Sequence, residues 1–398
     1  MIWIIQKLWR GMAIVMLLQK CWKLWLVRRF FARPIPQQQR EPHLVSIMQP
    51  ILSGDPTLRD CLAANLAMHT RYHHEFLWLI DDDDPTAHEI CHELAAAFPQ
   101  KHVHIISLPA PAERTNPKTF KLNAGLNHAR GDVICVLDDD TRLPDAGLEQ
   151  CLPFLDQRQV GLAFGLPYYR YVGNLWSTLV TLFVNDQSLL TYVPYTALTQ
   201  PFTINGMFYA IRRAVLDDVG GFRGIEHVLA DDFAVASRLR EHGYTLAQTP
   251  LRHAISTHVR DHRHYLSLIQ RWFIFPRESL LRHLGWRDQA IVYGLGALPA
   301  TFPLVVVLSA LVRPSRTTLG YAIGYFGVSM AAFRWLDQAY LHATPNHYTW
   351  LVPLVEAIFP LQLLAAMLAP QTINWRGHVM QVEHGGGFHF VQRRANSG

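Results

Sequence analysis

The chain has 398 residues, 50% hydrophobic and 17% charged, enough for one large catalytic domain or two smaller ones. The net charge of +5 is modest, and no block of basic residues is interleaved with aromatic ones, which argues against nucleic-acid binding. The five scattered cysteines argue against a disulfide framework and favour a reducing cytoplasm.

The first predicted element is a membrane-associated helix over residues 1–33. Basic residues interrupt its apolar run at Lys7, Arg10, Lys20 and Lys23. It is therefore either a poor spanning helix with snorkelling lysines or a basic amphipathic helix in the interface. A signal peptide is disfavoured because no small-residue cleavage site follows. Residues 34–42 (PIPQQQREP) are predicted to form a linker.

Strands and helices alternate over residues 43–260, which we expect to form the catalytic domain. The strand LVSIMQP precedes a helix in which Asp55 is the expected N-cap and Pro56 the first residue. Further buried strands are FLWLI at 76–80 and DVICVL at 132–137, with predicted helices between them. This alternation predicts an α/β domain with a mainly parallel sheet that is covered on both faces.

Apolar segments dominate the C-terminal part of the chain. An amphipathic segment at 261–288 precedes three apolar stretches within 289–370, which we predict to be membrane helices. A buried helical subdomain is the alternative. Glu356 would be costly in lipid unless it faces protein or the interface, so it is a candidate functional residue. Residues 371–398 are expected to be a C-terminal tail.

Acidic residues follow two of the buried strands. FLWLI runs into Asp81 to Asp84, and DVICVL runs into Asp138 to Asp140. Ligands of open parallel sheets bind at the carboxyl ends of the strands, so both clusters should face one crevice. A divalent cation such as Mg²⁺ or Mn²⁺ would offset their charge and bring phosphate with it. Two solvated turns are the alternative interpretation.

A third acidic pair precedes an amphipathic helix predicted from Phe233 to His242. Asp231 and Asp232 would interact favourably with the helix dipole at its N-terminus, and capping alone could explain them. The functional hypothesis makes Asp232 the base that removes a proton from a hydroxyl nucleophile.

In order along the chain, these segments resemble family-2-type glycosyltransferases with a GT-A fold, in the lipid-directed branch that holds ceramide glucosyltransferases and hopanoid-associated enzymes. The resemblance rests on segments that occur in the family's order: VSIMQPILSGDPTLRDCLAANL, DDDDP, NPKTFKLNAGL, LDDDT, GMFYAIRRAVLDDVGGF, LADDFAVASRLREHGY, QRW and VEAIFPLQLLAAMLAPQTINWRGH. Any one of them is weak, whereas the ordered set covers nearly the whole chain.

The resemblance implies a Rossmann-like, mixed and mainly parallel sheet, and an inverting hexosyltransferase with a nucleotide-sugar donor, a UDP-sugar in particular, and a lipid acceptor. Asp82 and Asp84 would bind the donor, with Asp84 on the uridine, and Lys118 would lie on the donor side. Asp138 and Asp140 would hold the sugar diphosphate and a Mg²⁺ or Mn²⁺ ion. Asp232 would deprotonate the acceptor, and the catalytic set would include Arg271 and Trp272, which support the leaving diphosphate and the acceptor entrance.

Three positions depart from the family pattern. Leu268 stands where the Q/R-x-x-R-W motif has Gln or Arg, which argues against a processive polymer synthase. Asp231 stands where Glu is frequent, and LDDDT is more acidic than the D-S-D-like form of the lipid-directed branch. The subfamily and the acceptor therefore stay open.

The segment His88-Glu89-Ile90-Cys91-His92 matches H-E-x-x-H, a zinc-protease signature. The following residues ELAAAF supply no third ligand, and Glu113 lies in a predicted loop. A buried stripe of Ile90, Leu94, Ala97 and Phe98 would leave His88 and His92 on a solvated face. We therefore expect a solvated helix face, with a membrane metalloprotease as the alternative.

The predicted location is the cell (inner) membrane, multi-pass, with the catalytic domain facing the cytoplasm, where nucleotide sugars are made. Arg313 and Arg316 place the first connection in the cytoplasm by the positive-inside rule, whereas alternation of spans predicts the opposite. A re-entrant or interfacial segment at 290–311 would reconcile the two. A processive polysaccharide synthase and a non-catalytic membrane-bound binding protein stay open as alternative functions.

Overall fold

The computed structural model describes residues 2–170, 173–256, 258–275, 278 and 284–394. An eight-stranded sheet forms the centre of the catalytic domain, in the order β3-β2-β1-β4-β7-β6-β8-β5. The strands are β1 (Val45–Pro50), β2 (His74–Asp81), β3 (Val103–Leu108), β4 (Val133–Leu137), β5 (Thr141–Arg142), β6 (Val160–Tyr169), β7 (Phe208–Arg212) and β8 (Thr245–Ile255).

The sheet is mixed, as the sequence predicts. The pairs β1–β2, β2–β3, β1–β4 and β6–β8 are parallel, and β4–β7, β6–β7 and β5–β8 are antiparallel. Strand β4 is buried along its whole length, which fits the uninterrupted apolar run VICVL. The prediction of a mixed, mainly parallel α/β catalytic domain is confirmed.

Helices cover both faces of this sheet, and two apolar clusters lie on its opposite sides. The helices are α1 (Ile2–Phe31), α2 (Leu58–Ala67), α3 (Pro85–Ala97), α4 (Pro117–Leu126), α5 (Gly147–Cys151), α6 (Leu175–Gln187), α7 (Val193–Thr196), α8 (Arg213–Asp218), α9 (Asp231–Glu241) and α10 (His262–Phe275). A 3₁₀ segment at Leu152–Asp156 and a π segment at Ser188–Tyr192 follow α5 and α6.

Side-chain caps define the starts of the two helices that flank the predicted site. Asp84 caps α3 by accepting from the Ala87 amide, and Asn116 caps α4 by accepting from the amides of Lys118 and Thr119. The predicted start of α2 was wrong by two residues, since Thr57 is its N-cap. Asp55 instead accepts from the amide and hydroxyl of Thr57, which closes the preceding turn.

Within residues 284–394, the structure describes these α-helices: α11 (Trp286–Val292), α12 (Leu298–Val312), α13 (Arg316–Leu336) and α14 (Val352–Leu368). A π segment joins α11 to α12, a second follows α13, and a 3₁₀ segment precedes α14. Within the described residues, the continuous helices Trp286–Val312 and Asn346–Leu368 are long and apolar enough to cross a membrane. The third predicted stretch forms α13, which does not meet this criterion.

Residues 371–398, predicted as a tail, contain a folded element. Strands β9 (Thr372–Trp375), β10 (His378–Val382) and β11 (Phe388–Gln392) form an antiparallel sheet in the order β11-β10-β9. This C-terminal sheet packs on α10, where Ile274 joins its apolar core, and the Leu229 amide donates to the carbonyl of Gly386 at 2.9 Å. It is therefore docked on the catalytic domain.

Candidate active site

A cavity of about 790 Å³ opens at the carboxyl ends of β1, β2 and β4. Five of the predicted site residues line it: Lys118, Asp138, Asp140, Arg271 and Trp272. They come from α4, from the turn after β4 and from α10, so the fold brings together segments that are more than a hundred residues apart. This edge of the sheet is where the acidic clusters are predicted to meet.

Lys118 is the charged centre of the site. Its ammonium lies 2.7 Å from Asp138 Oδ1 and 3.4 Å from Asp231 Oδ2, and it donates to the carbonyl of Gly206 at 2.8 Å. Burial lowers the pKa of this ammonium, but the charges of Asp138 and Asp231 outweigh that effect and raise the pKa well above its ordinary value. Lys118 therefore stays charged and joins the second acidic motif to the third.

Asp232 follows Asp231 in the sequence and lies close to Lys118 and Gly206. A Cβ atom added at Gly206 would be 3.1 Å from Asp232 Cβ and 3.4 Å from Lys118 Nζ, so a side chain here would push these neighbours back by a few tenths of an ångström. Burial and the neighbouring Asp231 raise the pKa of Asp232 to about 7. A carboxyl group with that pKa can take up and release a proton near neutral pH. Nothing in the sequence motifs singles out Gly206.

The three acids after β4 have different partners. The central one, Asp139, is buried and accepts from both terminal nitrogens of Arg376, at 2.5 and 2.7 Å, and from the Leu52 amide at 2.9 Å. Asp138 and Asp140, on either side of it, line the cavity instead. Burial raises the pKa of both, and that of Asp140 to about 7 despite the opposing charge of Arg376.

In the first acidic cluster, Asp82 and Asp84 do not lie where direct binding of the donor would require them. Asp84 is buried and accepts from the Ser53 amide at 2.8 Å and the Ser53 hydroxyl at 2.6 Å, so it lies behind the cavity wall. These bonds, with that from Ala87, hold its pKa below the ordinary value although burial opposes them. Asp82 is exposed and accepts from Ser107. The structure does not bring Asp82 or Asp84 to the cavity surface.

Asp81, the residue missed in this cluster, lines the cavity. Its Oδ2 accepts from Lys121 at 2.9 Å, and Lys121 also donates to the Ile51 carbonyl at 2.7 Å. Its Oδ1 is buried and has no hydrogen-bond partner among the described residues. Burial raises its pKa, with Lys121 opposing. A ligand donor directed at Oδ1 would satisfy this buried acceptor.

Helix α10 forms the wall that faces the apolar half of the molecule. Trp272 packs edge-on against Tyr169 and is stacked on Phe183, with ring centroids 6.1 Å apart in both pairs. Gln270, by contrast, turns away from the cavity and donates to the carbonyl of Pro370 at 2.7 Å. Leu268, which stands where the Q/R-x-x-R-W motif has Gln or Arg, is buried and lines the cavity. Arg271 and Trp272 thus lie where a cavity wall meets an aromatic cluster.

The carboxylate oxygens of the site fit a hard divalent cation. Asp138 and Asp140 offer carboxylate oxygens on the cavity side, and their raised pKa values show that nearby positive charge does not fully compensate burial. Within the described part of the chain, no group of three or more His, Cys, Asp or Glu side chains is arranged to hold a metal. Two carboxylates suit an ion whose remaining ligands are water and phosphate oxygens.

In the described part of the chain, no such group of three side chains brings a further ligand to His88 and His92 of the H-E-x-x-H match. His88 and His92 lie on α3 with ring centroids 6.2 Å apart, His92 is exposed, and His88 approaches Ser107 Oγ at 3.4 Å. The buried residues of α3 are Ala87, Cys91 and Leu94, so the predicted stripe is right at Leu94 and wrong at Ala97, which is exposed. The helix turns its histidines away from the core.

The family model described as glycosyl transferase family 21 matches residues 8–388 of the chain. The chain is also similar to ceramide glucosyltransferase 3 of Caenorhabditis elegans, with 21% identity over 347 residues that cover 86% of this chain and 73% of that protein. The probable glycosyltransferase YdaM of Bacillus subtilis is 26% identical over 230 residues, 55% of this chain. The match spans about half of YdaM, 53% of its length.

Two solved structures are similar to this one. The mannosyltransferase PcManGT from Pyrobaculum calidifontis, in complex with GDP-Man and Mn²⁺, has a TM-score of 0.48 and 19% identity, covering 89% of this chain and 96% of that one. GalNAc-T7 with UDP, GalNAc and Mn²⁺ has a TM-score of 0.42 and 14% identity, covering 62% and 52%.

Proposed function

The chain belongs to glycosyl transferase family 21 and is a glycosyltransferase, and from that premise we propose that it transfers a hexose from a nucleotide-sugar donor, a UDP-sugar, to the hydroxyl of a membrane lipid with inversion at the sugar carbon. The observation that carries the proposal is the chain of contacts Asp138–Lys118–Asp231, with Asp232 beside it. Asp138 and Lys118 line the cavity, and Trp272 lines the same cavity. This chain of contacts supports a diphosphate site with a base next to it.

The donor would lie along the carboxyl ends of β1, β2 and β4. Asp81 Oδ1 would accept from the base or ribose, which satisfies a buried oxygen, and Asp84 would support this contact indirectly through Ser53. Asp138 and Asp140 would hold the Mg²⁺ or Mn²⁺ ion that accompanies the diphosphate. When bound, such an ion neutralises charge that develops on the departing nucleoside diphosphate.

Asp232 would act as the base on the acceptor hydroxyl. Its carboxylate lies beside Lys118 across Gly206, so one short path joins the base to the diphosphate side. A fixed base aligns the attacking oxygen with the leaving group, and no covalent intermediate with the protein is needed. Arg271, which lines the cavity on the opposite wall, would stabilise the leaving diphosphate.

The acceptor would enter from the apolar side. Trp272 packs on Phe183, and Phe183 packs on Phe359 of α14 with ring centroids 4.9 Å apart, so the cavity wall continues into the apolar helices. A lipid whose chains lie along these helices could present its hydroxyl at Trp272. This arrangement supports a membrane-bound enzyme. We place its catalytic domain on the cytoplasmic side because nucleotide sugars are made there.

A donor screen tests the proposal. Membranes that carry the full chain, and matched membranes without it, are incubated with a panel of labelled nucleotide sugars and Mg²⁺ or Mn²⁺, and lipid extracts are read by mass spectrometry. We expect one lipid to gain a single hexose only when the chain is present. A ladder of polymers would instead identify a processive polysaccharide synthase, and no donor turnover at all would favour a binding protein.

A further inference from the structure

We propose that the C-terminal sheet completes the donor site, with Arg376 as a residue that binds the diphosphate of the nucleotide sugar. This inference rests on the proposed function and adds a binding residue that lies more than two hundred residues from Asp138 and Asp140. Arg376 sits in the turn between β9 and β10, and it lines the same cavity as Asp138 and Asp140.

The backbone at this turn is unusual for the residue that occupies it. Arg376 has φ 47° and Gly377 has φ 92°, so both central residues of a two-residue hairpin turn are left-handed. Asn or Asp is the residue that such a turn prefers before the glycine. A long charged side chain held in this conformation indicates that the side chain, rather than turn stability, determines the residue here.

The guanidinium is fixed by its contacts with the catalytic domain. Nη1 donates to the carbonyl of Leu52 at 2.8 Å, and both terminal nitrogens bind the carboxylate of Asp139. Nη2 also lies 3.7 Å from Asp140 Oδ2, on the cavity side. These contacts orient the guanidinium without using all of its N–H donors, so a phosphate oxygen in the cavity can still be bound.

A second arginine of the tail strengthens the docking. Arg394 donates to the Ser53 carbonyl at 2.7 Å and to the Ser53 hydroxyl at 3.0 Å, and Ser53 in turn binds Asp84. The tail therefore contacts the loop after β1 and the turn after β4, the two segments that border the donor side of the cavity. Arginine on a pre-organised backbone is suited to phosphate because its fork matches phosphate oxygens.

The test compares nucleoside diphosphate and nucleoside binding in the detergent-purified full chain. UDP is the first probe, with GDP, ADP and CDP as alternatives, each with Mg²⁺ or Mn²⁺, and binding is measured by isothermal titration calorimetry. Arg376→Ala should weaken binding of the diphosphate by about tenfold or more, as expected for the loss of a charged hydrogen-bond donor. Arg376→Lys should lie between, since it keeps the charge and loses the fork.

The matched nucleoside distinguishes a binding role from a structural one. Saturation-transfer NMR with uridine should give the same affinity for the wild type and Arg376→Ala, because uridine carries no phosphate. Arg393→Ala is the control, since exposed Arg393 of the same tail donates to the Pro111 carbonyl outside the cavity. Equal loss of nucleoside and diphosphate affinity in Arg376→Ala, or no loss of either, would overturn the inference.

The results expected if the proposed function is wrong differ from those expected if only the role of Arg376 is wrong. A wild-type chain that binds no nucleoside diphosphate and turns over no nucleotide sugar would overturn both proposals. A wild type that transfers sugar, together with an Arg376→Ala variant whose KM for the donor is unchanged, would overturn only the role of Arg376.

Discussion

Asp232 is the residue on which the proposed chemistry depends most directly. Its pKa is raised to about 7, mainly by burial and then by the negative charge of Asp231. A base acts in its ionised form, so the transfer rate at saturating substrate should rise as pH rises through about 7 and level off above it. Asp232→Asn should lower the rate by about 10²-fold or more and abolish this rise, as measured by product formation from pH 5 to 9.

Two variants control this prediction. Asp231→Asn removes a negative neighbour, so the pKa of Asp232 falls and the rise in rate moves to lower pH. Asp217→Asn changes an exposed carboxyl of α8 outside the cavity and should leave the profile unchanged. A pH profile that is the same in the wild type and Asp232→Asn would assign the base to another group.

At the residue scale, the sequence predicts the parts of the site that are local. Asp138 and Asp140 follow a buried strand, and Lys118 lies in the first turn of a capped helix, so their positions follow from elements that can be recognised in the sequence. The partners of Asp139 and Asp81 cannot be predicted in this way. Arg376 and Lys121 reach them only through the tertiary fold, and no spacing in the sequence indicates it.

At the scale of elements, one ion pair joins the two ends of the chain. Lys20 of α1 lies 2.9 Å from Glu356 of α14, each side chain is 12% exposed, and Lys20 also contacts Ser329 of α13. Breaking such a buried pair leaves an unpaired charge. We expect Lys20→Met or Glu356→Gln alone to lower the free energy of unfolding by about 3 kcal/mol, and the double variant to lose less than the sum.

The measurement is a double-mutant cycle by thermal unfolding of the purified chain in detergent. The exposed pair Arg59–Glu93, with side chains 50% and 49% exposed, is the matched control and should contribute less than about 1 kcal/mol. Strictly additive losses for Lys20 and Glu356 would show that the pair is not coupled. The contact also explains how Glu356 can be accommodated within an apolar helix.

Elements differ in how far the sequence predicts them. Strands β2 and β4 of the catalytic sheet are buried on both faces and appear as continuous apolar runs, so both are predicted to within two residues. The C-terminal strands are short and half-buried: TINW has only four residues, and HVMQV lacks a regular alternation of apolar and polar residues. Their stability comes from packing on α10, which a local pattern does not reveal.

For the whole molecule, the docked C-terminal sheet restricts the number of membrane crossings. Its Arg376 binds Asp139 of the catalytic domain, so both must lie on the same face of the membrane. The helices between residues 286 and 368 must therefore cross an even number of times. Three complete crossings, one for each predicted apolar stretch, are incompatible with this contact.

The contacts of the helices indicate which of them cross. Helices α12 and α13 form a hairpin in which Phe302 and Tyr325 have ring centroids 5.5 Å apart. The hairpin begins near Phe202 and Phe233, which cluster with Val292, and it returns to Arg252, which donates to the Tyr340 carbonyl. Helix α14 packs on α12 and α13 and also runs along α10, where Gln362 donates to Tyr265 at 2.6 Å. We therefore predict that the hairpin crosses, although α13 alone does not meet the length and hydropathy criterion, and that α14, which meets it, lies along the catalytic side.

Cysteine accessibility tests this topology in oriented membrane vesicles. Cys21→Ser removes the exposed native thiol, since the other four cysteines are buried, and single cysteines are then introduced at Thr317, Asn346 and Asp217. An impermeant maleimide should label position 346 from the same face as position 217 in the catalytic domain, and position 317 from the opposite face. Position 317 is expected on the opposite face because the hairpin carries exposed apolar side chains up to its tip, and such side chains suit lipid. They are Leu311, Val312, Leu319 and Ile323. The positive-inside rule opposes this arrangement, because Arg313 and Arg316 lie at the tip of the hairpin. Labelling of all three positions from one face would mean that the charges of these two arginines prevail and that the hairpin lies in the interface.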